Sequence, residues 1–296
     1  MHDVIQGEIV KFTKTHKAAV AFVATAALLS ACGGSSTAAS TAAATSASSD
    51  CTKDSLKTLT AGKLTVATGQ PAYSPWVEDD KPESGNGFES AVAYAVATKL
   101  GFAATDVTWA RTTFDGAITP GPKTFDFNLQ QYTITDERKK AVDFSSPYYT
   151  TPQTVVTAKG SKIDGKTTIA DLKGAKLGAG VGTTAVDIIT SQIGATPQVF
   201  NDNAAAVAAL KNGQIDGIVV DLPTAFYLTA VEIDNGVIVG QLPPSGSGDN
   251  FGLLLAKDSP LTTCVSQAVD ALKADGTLAA LADKWLGASA GAPVLK

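Results

Sequence analysis

The chain has 296 residues, 44% of them hydrophobic, with 23 Lys and Arg against 28 Asp and Glu and a net charge of −5. That length permits one large or two modest domains, and an acidic chain without a basic patch offers nothing to nucleic acid. Both histidines, His2 and His16, and the single methionine, Met1, lie at the amino terminus. The rest of the chain therefore excludes a Ser-His-Asp or Cys-His nucleophile and a histidine-based metal centre, and neither metal nor cofactor is expected.

The amino terminus reads as a targeting segment. Lys11, Lys14 and Lys17 precede an apolar run from Ala18 to Leu29, and Leu29-Ser30-Ala31-Cys32 follows. The run is short for a bilayer span and suits the apolar region of a signal peptide over residues 1–31. The Leu-Ser-Ala-Cys ending resembles a bacterial lipobox. This implies cleavage before Cys32, lipid on its sulfur, and an extracytoplasmic chain anchored to the cell membrane. From Gly33 to Asp50 the chain is almost entirely Ser, Thr, Ala and Gly, so residues 32–60 are expected to form a flexible tether. Cys51 and Cys264 remain, and two cysteines in an exported chain are expected to pair, provided that their Cα atoms come within about 7 Å.

From Lys63 onward β-branched runs alternate with helical patterns. Strands are predicted over Lys63–Thr68, Val107–Ala110, Phe125–Leu129, Thr154–Ala158, Lys176–Gly180, Ile215–Val220 and Phe251–Ala256. Helices are predicted over Phe88–Leu100, closed by Gly101, over Thr135–Ala141, from Thr184 to Ile193, over Ala204–Lys211, from Pro223 onward, and over Pro260–Ala274 and Thr277–Trp285. The alternation predicts an α/β fold with largely parallel sheets. Breaks at Ser145–Pro152 and Leu242–Gly248 bracket residues 154–247 as a second lobe, with residues 61–153 and 248–296 forming the first. One continuous domain fits the composition nearly as well.

Ligands of parallel α/β sheets meet the carboxyl ends of strands and the amino ends of helices, and a few residues qualify. Arg138 falls in the first turn after Thr135, where the helix dipole disfavours a cation. It is one of only two arginines, the other being Arg111. A bidentate anion contact explains it; so does a solvated surface position softened by Asp136 and Glu137. Gly182-Thr183-Thr184 opens a helix after a strand and reads equally as anion site or cap. Asp221 ends a strand before Leu222-Pro223 and reads as a helix cap or a ligand carboxylate. Tyr73, Trp76 and Phe114 are aromatics that wall a pocket or close a core edge. Together a cation, a helix amino end, an anion and aromatic walls complement a zwitterion, whose burial needs a partner for each charge.

The residues that carry a family resemblance are Ala72-Tyr-Ser-Pro-Trp76, Gly87-Phe-Glu89, Thr133-Ile-Thr-Asp-Glu-Arg-Lys-Lys140, Val142-Asp-Phe-Ser145, Pro147-Tyr-Tyr149, Gly182-Thr-Thr184 and Val220-Asp-Leu-Pro223. Over essentially the whole body the chain resembles the amino-acid-binding proteins of ABC importers, bacterial solute-binding protein family 3. The resemblance implies a type II periplasmic-binding-protein fold, two lobes joined by a hinge of two crossing segments. It implies a monomeric receptor that hands a free amino acid to a permease and ATPase complex. It assigns the ligand's carboxylate to Arg138 with Thr183 and Thr184, its ammonium to Asp221, further hydrogen bonds to Thr133, and its aliphatic part to Tyr73 and Phe114. The chain departs from the family where Gly69-Gln70 replaces an acid that reads the ligand side chain, which speaks against a strongly basic ligand and for a polar one. It departs again where Gln131 replaces a glycine: its carbonyl remains open to the ammonium, and the Gln130 or Gln131 side chain is expected to narrow the pocket. Two alternatives remain from outside the receptor class: a dehydratase for carboxylate substrates on the same fold, and a ligand sensor without a transporter.

Overall fold

The structure, a computed structural model, describes residues 50–244, 248–287 and 291–296. The segment expected to be a signal peptide, Cys32 and most of the expected tether lie outside the described residues. Lobe 1 begins with β1 (Leu64–Gly69), α1 (Phe88–Lys99), β2 (Val107–Thr112), α2 (Phe114–Ile118), β3 (Phe127–Asn128) and β4 (Val142–Thr151). Lobe 2 contains β5 (Gln153–Ala158), β6 (Leu177–Gly180), α3 (Thr184–Ile188), β7 (Pro197–Phe200), α4 (Asn203–Lys211), β8 (Gly217–Asp221), α5 (Leu222–Tyr227) and β9 (Gly236–Gln241). The chain then returns to lobe 1 with β10 (Asp249–Ala256), α6 (Thr262–Ala274) and α7 (Thr277–Leu286).

Each lobe is a five-stranded sheet, ordered β2-β1-β3-β10-β4 and β7-β6-β8-β5-β9. The sheets are mixed and not largely parallel: β1 runs parallel to β2 and β3, while β10 is antiparallel to both β3 and β4. In lobe 2, β6 runs parallel to β7 and β8, and β5 is antiparallel to β8 and β9. The antiparallel members are the strands by which the chain passes between lobes, and they need no helical crossover. The cores follow the sequence pattern. The apolar side chains of β1 and β10 pack with α1 and α6 in lobe 1, and Val155, Leu177 and Val219 pack with Ile189 and Ile193 in lobe 2.

Four boundaries differ from expectation. The Ser145–Pro152 break lies almost wholly in β4, which tolerates Pro147 because it is an edge strand. The described end of the tether is not a tether: Cys51 and Cys264 are bonded with Cα atoms 5.3 Å apart, Leu56 packs on the lobe 1 core, and the Leu59 amide donates to Asp126 at 2.8 Å. The helix predicted to Ile193 leaves α geometry at Ile189 and closes as a π turn. Finally, the carboxyl terminus belongs with lobe 2, not lobe 1. Val294 bridges Gln241 in parallel, the Gln241 amide donates to the Pro293 carbonyl at 2.7 Å, the Gln241 carbonyl accepts from the Leu295 amide at 2.9 Å, and Leu295 joins the lobe 2 core. The tail covers the open edge of β9, which would otherwise present unpaired backbone groups, and it makes the lobe connections three where two were expected.

Candidate functional site

A cavity of about 200 Å³ lies between the lobes, and all nine residues singled out from the sequence line it: Tyr73, Trp76, Phe114, Gln131, Thr133, Arg138, Thr183, Thr184 and Asp221. They arrive from strand ends and helix starts of both sheets, so only the tertiary fold brings them together.

Arg138 sits in a short 3-10 turn, Arg138–Lys140, whose first amide donates to the Thr135 hydroxyl at 3.1 Å. The guanidinium is 9% exposed, so it is not a surface charge. One Nη donates to the Thr133 carbonyl at 2.7 Å and the other to the Gly182 carbonyl of lobe 2 at 2.8 Å. The Phe114 ring lies 5.4 Å from its central carbon. Burial pulls its pKa down, against Tyr132, Asp249 and Asp187. A guanidinium has five N–H donors, and the two carbonyls leave donors for an anion.

Asp221 resolves its two readings by being a cap with charge to spare. It is the N-cap of α5, accepting from the Thr224 amide at 2.9 Å and the Thr224 hydroxyl at 2.8 Å. Burial raises its pKa to about 6, against those two bonds, and Asp249 raises it further. A part-buried carboxylate with a raised pKa, which forms no salt bridge among the described residues, lacks an ion partner, and an ammonium supplies one.

Trp76 does more than wall the pocket. It is 2% exposed, and its indole N–H crosses the cleft to the Thr224 hydroxyl at 2.8 Å. Trp76, Thr224 and Asp221 thus form a relay from lobe 1 to the acid of lobe 2. Thr133 and Thr184 also meet across the cleft, Oγ to Oγ at 3.5 Å. The lobes are therefore in contact at three points around the cavity.

Several contributing residues have roles that the sequence did not disclose. Glu89, 1% exposed in the first turn of α1, accepts from the Gln131 amide at 2.8 Å, from the Gln131 side chain at 2.5 Å and from the Tyr148 hydroxyl. Burial pushes its pKa to about 7, with those three bonds opposing and the Asp221 charge adding. Gln131 has φ +51°, a left-handed conformation that costs an ordinary residue roughly 1–2 kcal/mol; the Glu89 carboxylate holds it there. Gln153, at the start of β5, donates to Asp249 at 2.7 Å and is 8% exposed. Thr224, Gln130 and Asp202 complete the set. Thr224 had one signal, its place two residues after Leu222-Pro223 in a capping position. Glu89 stood in the Gly87-Phe-Glu89 motif and Gln130 beside Gln131, whereas Gln153 and Asp202 had no signal. Among the described residues no group of His, Cys, Asp and Glu is arranged to hold a metal ion.

Two α/β lobes that close side chains of opposite charge around one cavity define a hinged ligand-binding protein. Residues 64–288 match the bacterial extracellular solute-binding proteins, family 3, and the chain belongs to that family. It is 32% identical over 235 residues to the L-cystine-binding protein TcyJ of Escherichia coli K12, covering 78% of this chain and 85% of that protein. It is 30% identical over 241 residues to the L-arginine-binding protein of Pseudomonas aeruginosa, covering 78% and 91%. Among solved structures it resembles an ancestral arginine-binding protein bound to arginine, with TM-score 0.63 and 33% identity over 76% of this chain and 98% of that one. It also resembles an ancestral amino acid-binding protein that is a precursor of cyclohexadienyl dehydratase, with TM-score 0.64 and 32% identity over 76% and 95%. No helix among the described residues is long and apolar enough to cross a membrane.

Proposed function

We propose that the protein is an extracytoplasmic receptor that binds one free amino acid between its lobes and presents it to an ABC importer. The observation that carries this reading is the pairing of Arg138 on lobe 1 with Asp221 on lobe 2 in one buried cavity. A zwitterion satisfies both: its carboxylate takes the donors of Arg138 with the hydroxyls of Thr133 and Thr184, while Thr183 lines the cavity with its own hydroxyl donated to the Gly180 carbonyl at 2.7 Å, and its ammonium meets Asp221. Because each lobe holds one charge, the ligand favours the closed arrangement over the open one, and a hinge closure of this kind is how the ligand would report its presence to a permease. Tyr73, Trp76 and Phe114 enclose the aliphatic part, with the Gln131 turn beneath it. Lipid on Cys32 anchors a monomer to the membrane by residues 32–50, and residues 153–244 form the lobe that moves against the rest.

In this reading there is no turnover, since the cavity's ionisable groups are engaged in holding charge. A thermal-shift screen of the common L-amino acids should show a rise in melting temperature for a small subset. Calorimetry on that subset with Arg138→Ala should show a loss of roughly 2–5 kcal/mol of binding free energy; unchanged affinity removes Arg138 from the site. Incubation with prephenate or arogenate should leave both intact, and any product makes the protein a dehydratase.

A further inference from the structure

The charged groups account for an amino acid's head but not for its side chain. At the carboxyl ends of β1 and β3 the cavity wall is uncharged and consists of Thr68, Gln70 and Gln130. These positions are level with one another: Ala67 pairs with Asn128 in parallel, so Gly69 lies beside Gln130. The Gln130 amide has a defined orientation. The buried Tyr132 hydroxyl donates to its Oε1 at 2.9 Å, which leaves Nε2 and its two N–H donors at the wall. That nitrogen occupies the space a side chain on residue 69 would need, since a Cβ on Gly69 would lie 2.7 Å from it. Thr68 is 1% exposed, and its hydroxyl has no hydrogen-bond partner among the described residues. A buried hydroxyl left unpaired costs about 1–3 kcal/mol, so this wall is built to meet a polar group.

The lobe 2 side of the same cavity contributes Asn201, Asp202 and Asn203. Asp202 is the N-cap of α4 and accepts from the Ala205 amide at 2.8 Å. Its charge is partly offset there by the helix amino end.

We infer that the cleft selects an amino acid whose side chain ends in a neutral group carrying a hydrogen-bond acceptor, a carboxamide fitting best, and that Gln130 makes the selection. This rests on the amino-acid reading above. A carboxamide oxygen accepts from Gln130 Nε2, and its NH₂ donates to the Thr68 hydroxyl or to Asp202. A guanidinium or ammonium has donors only, so against Gln130 it leaves donor facing donor, and the Asp202 carboxylate across the cavity is already engaged at the amino end of α4. A side-chain carboxylate accepts, but it meets Asp202 with no cation other than Arg138 lining the cavity.

Calorimetry of the purified protein with L-glutamine, L-asparagine, L-arginine and L-cystine tests this. A carboxamide ligand should bind at least about 30-fold more tightly than arginine, a threshold set well below the roughly 10⁴-fold by which a site built to hydrogen-bond rejects a mismatched group. Gln130→Glu, which replaces donors by acceptors at the same length, should move that ratio about 100-fold toward arginine. Gln130→Met should weaken the carboxamide ligand alone, and it keeps the test valid if the charged variant does not fold. Tighter binding of arginine or cystine by the wild-type protein, or an unchanged ratio in both variants, overturns the inference while leaving the receptor reading intact. Binding of no amino acid at all overturns both.

Discussion

Asp221 serves with one carboxylate as the cap of α5 and as the candidate partner of an ammonium, and its protonation links the two roles to pH. Its pKa is raised to about 6 because burial outweighs the two bonds from Thr224. A bound ammonium favours the ionised form, so below that pH a proton must leave before the ligand enters. The acids that share its surroundings, Asp249 and Glu89, shift the same way through burial. Affinity should be flat above about pH 7 and fall by up to about tenfold per pH unit below 6. Calorimetry across that range in two buffers of different ionisation enthalpy would show proton release on binding at the acid end. Arg138 was legible as a rare arginine in a lysine-rich chain, but the helix predicted over Thr135–Ala141, whose dipole it was to oppose, is only the 3-10 turn Arg138–Lys140, and its two readings were separable only once its burial and its bond to Gly182 were seen. Gln131 was expected to narrow the pocket by its side chain or offer its carbonyl. Glu89 instead holds its side-chain amide, and Gln130, given no separate role, presents its own amide to the cavity. That exchange depends on a single positive φ at Gln131, which residue identity does not disclose.

At the scale of elements, α5 allows the two roles of Asp221 to be separated. Asp221→Asn keeps a side-chain oxygen for the Thr224 amide, so its unfolding free energy should change by less than about 0.5 kcal/mol, whereas Asp221→Ala loses the cap and about 1 kcal/mol. Both should lose ligand affinity equally if the charge is what the ligand reads. Chemical denaturation and calorimetry on the same two variants give the four numbers required. A variant Asp221→Asn that binds as tightly as wild type would make the residue a cap alone. The long elements, α1, α6 and α7 with β1 and β8, were legible because glycine, proline and apolar period mark their ends. The strands β4, β7 and β9 and the helix α2 were not. β4 carries Ser145, Ser146 and Pro147, which read as a break and are accommodated only by its position at a sheet edge. β7 begins at Pro197 and β9 at Gly236, residues that read as breaks, and their strand character comes from pairing with β6 and β5.

At the scale of the whole molecule, two long-range connections tie the ends of the chain to the lobes. The Cys51–Cys264 bond closes a loop of 213 residues and fastens the start of the folded body to α6. In a chain-entropy account such a loop stabilises by about 4–5 kcal/mol, so a reductant should lower the melting temperature by several degrees. Thiol labelling of the native protein should find no free cysteine. The carboxyl-terminal tail crosses from lobe 1 to lobe 2 and buries Leu295 against the sheet. Ending the chain at residue 290 should cost about 2–4 kcal/mol, from a large side chain removed from a core and an edge left open. A truncated chain as stable as the full one in denaturant would show that the tail contributes nothing.

Composition and motif order were enough for the α/β class, for the family and for naming nine residues that the fold brings to the cavity, because charge, apolar period and motif spacing are local properties. Tertiary structure alone decided the mixed sheets, the third crossing by the tail, the Trp76–Thr224–Asp221 relay and the presentation of Gln130. Each of these depends on backbone pairing or on side chains far apart in the chain meeting in one place. The energy that selects such a meeting, burial of apolar surface with every buried polar group paired, belongs to the assembled molecule and to no segment of it.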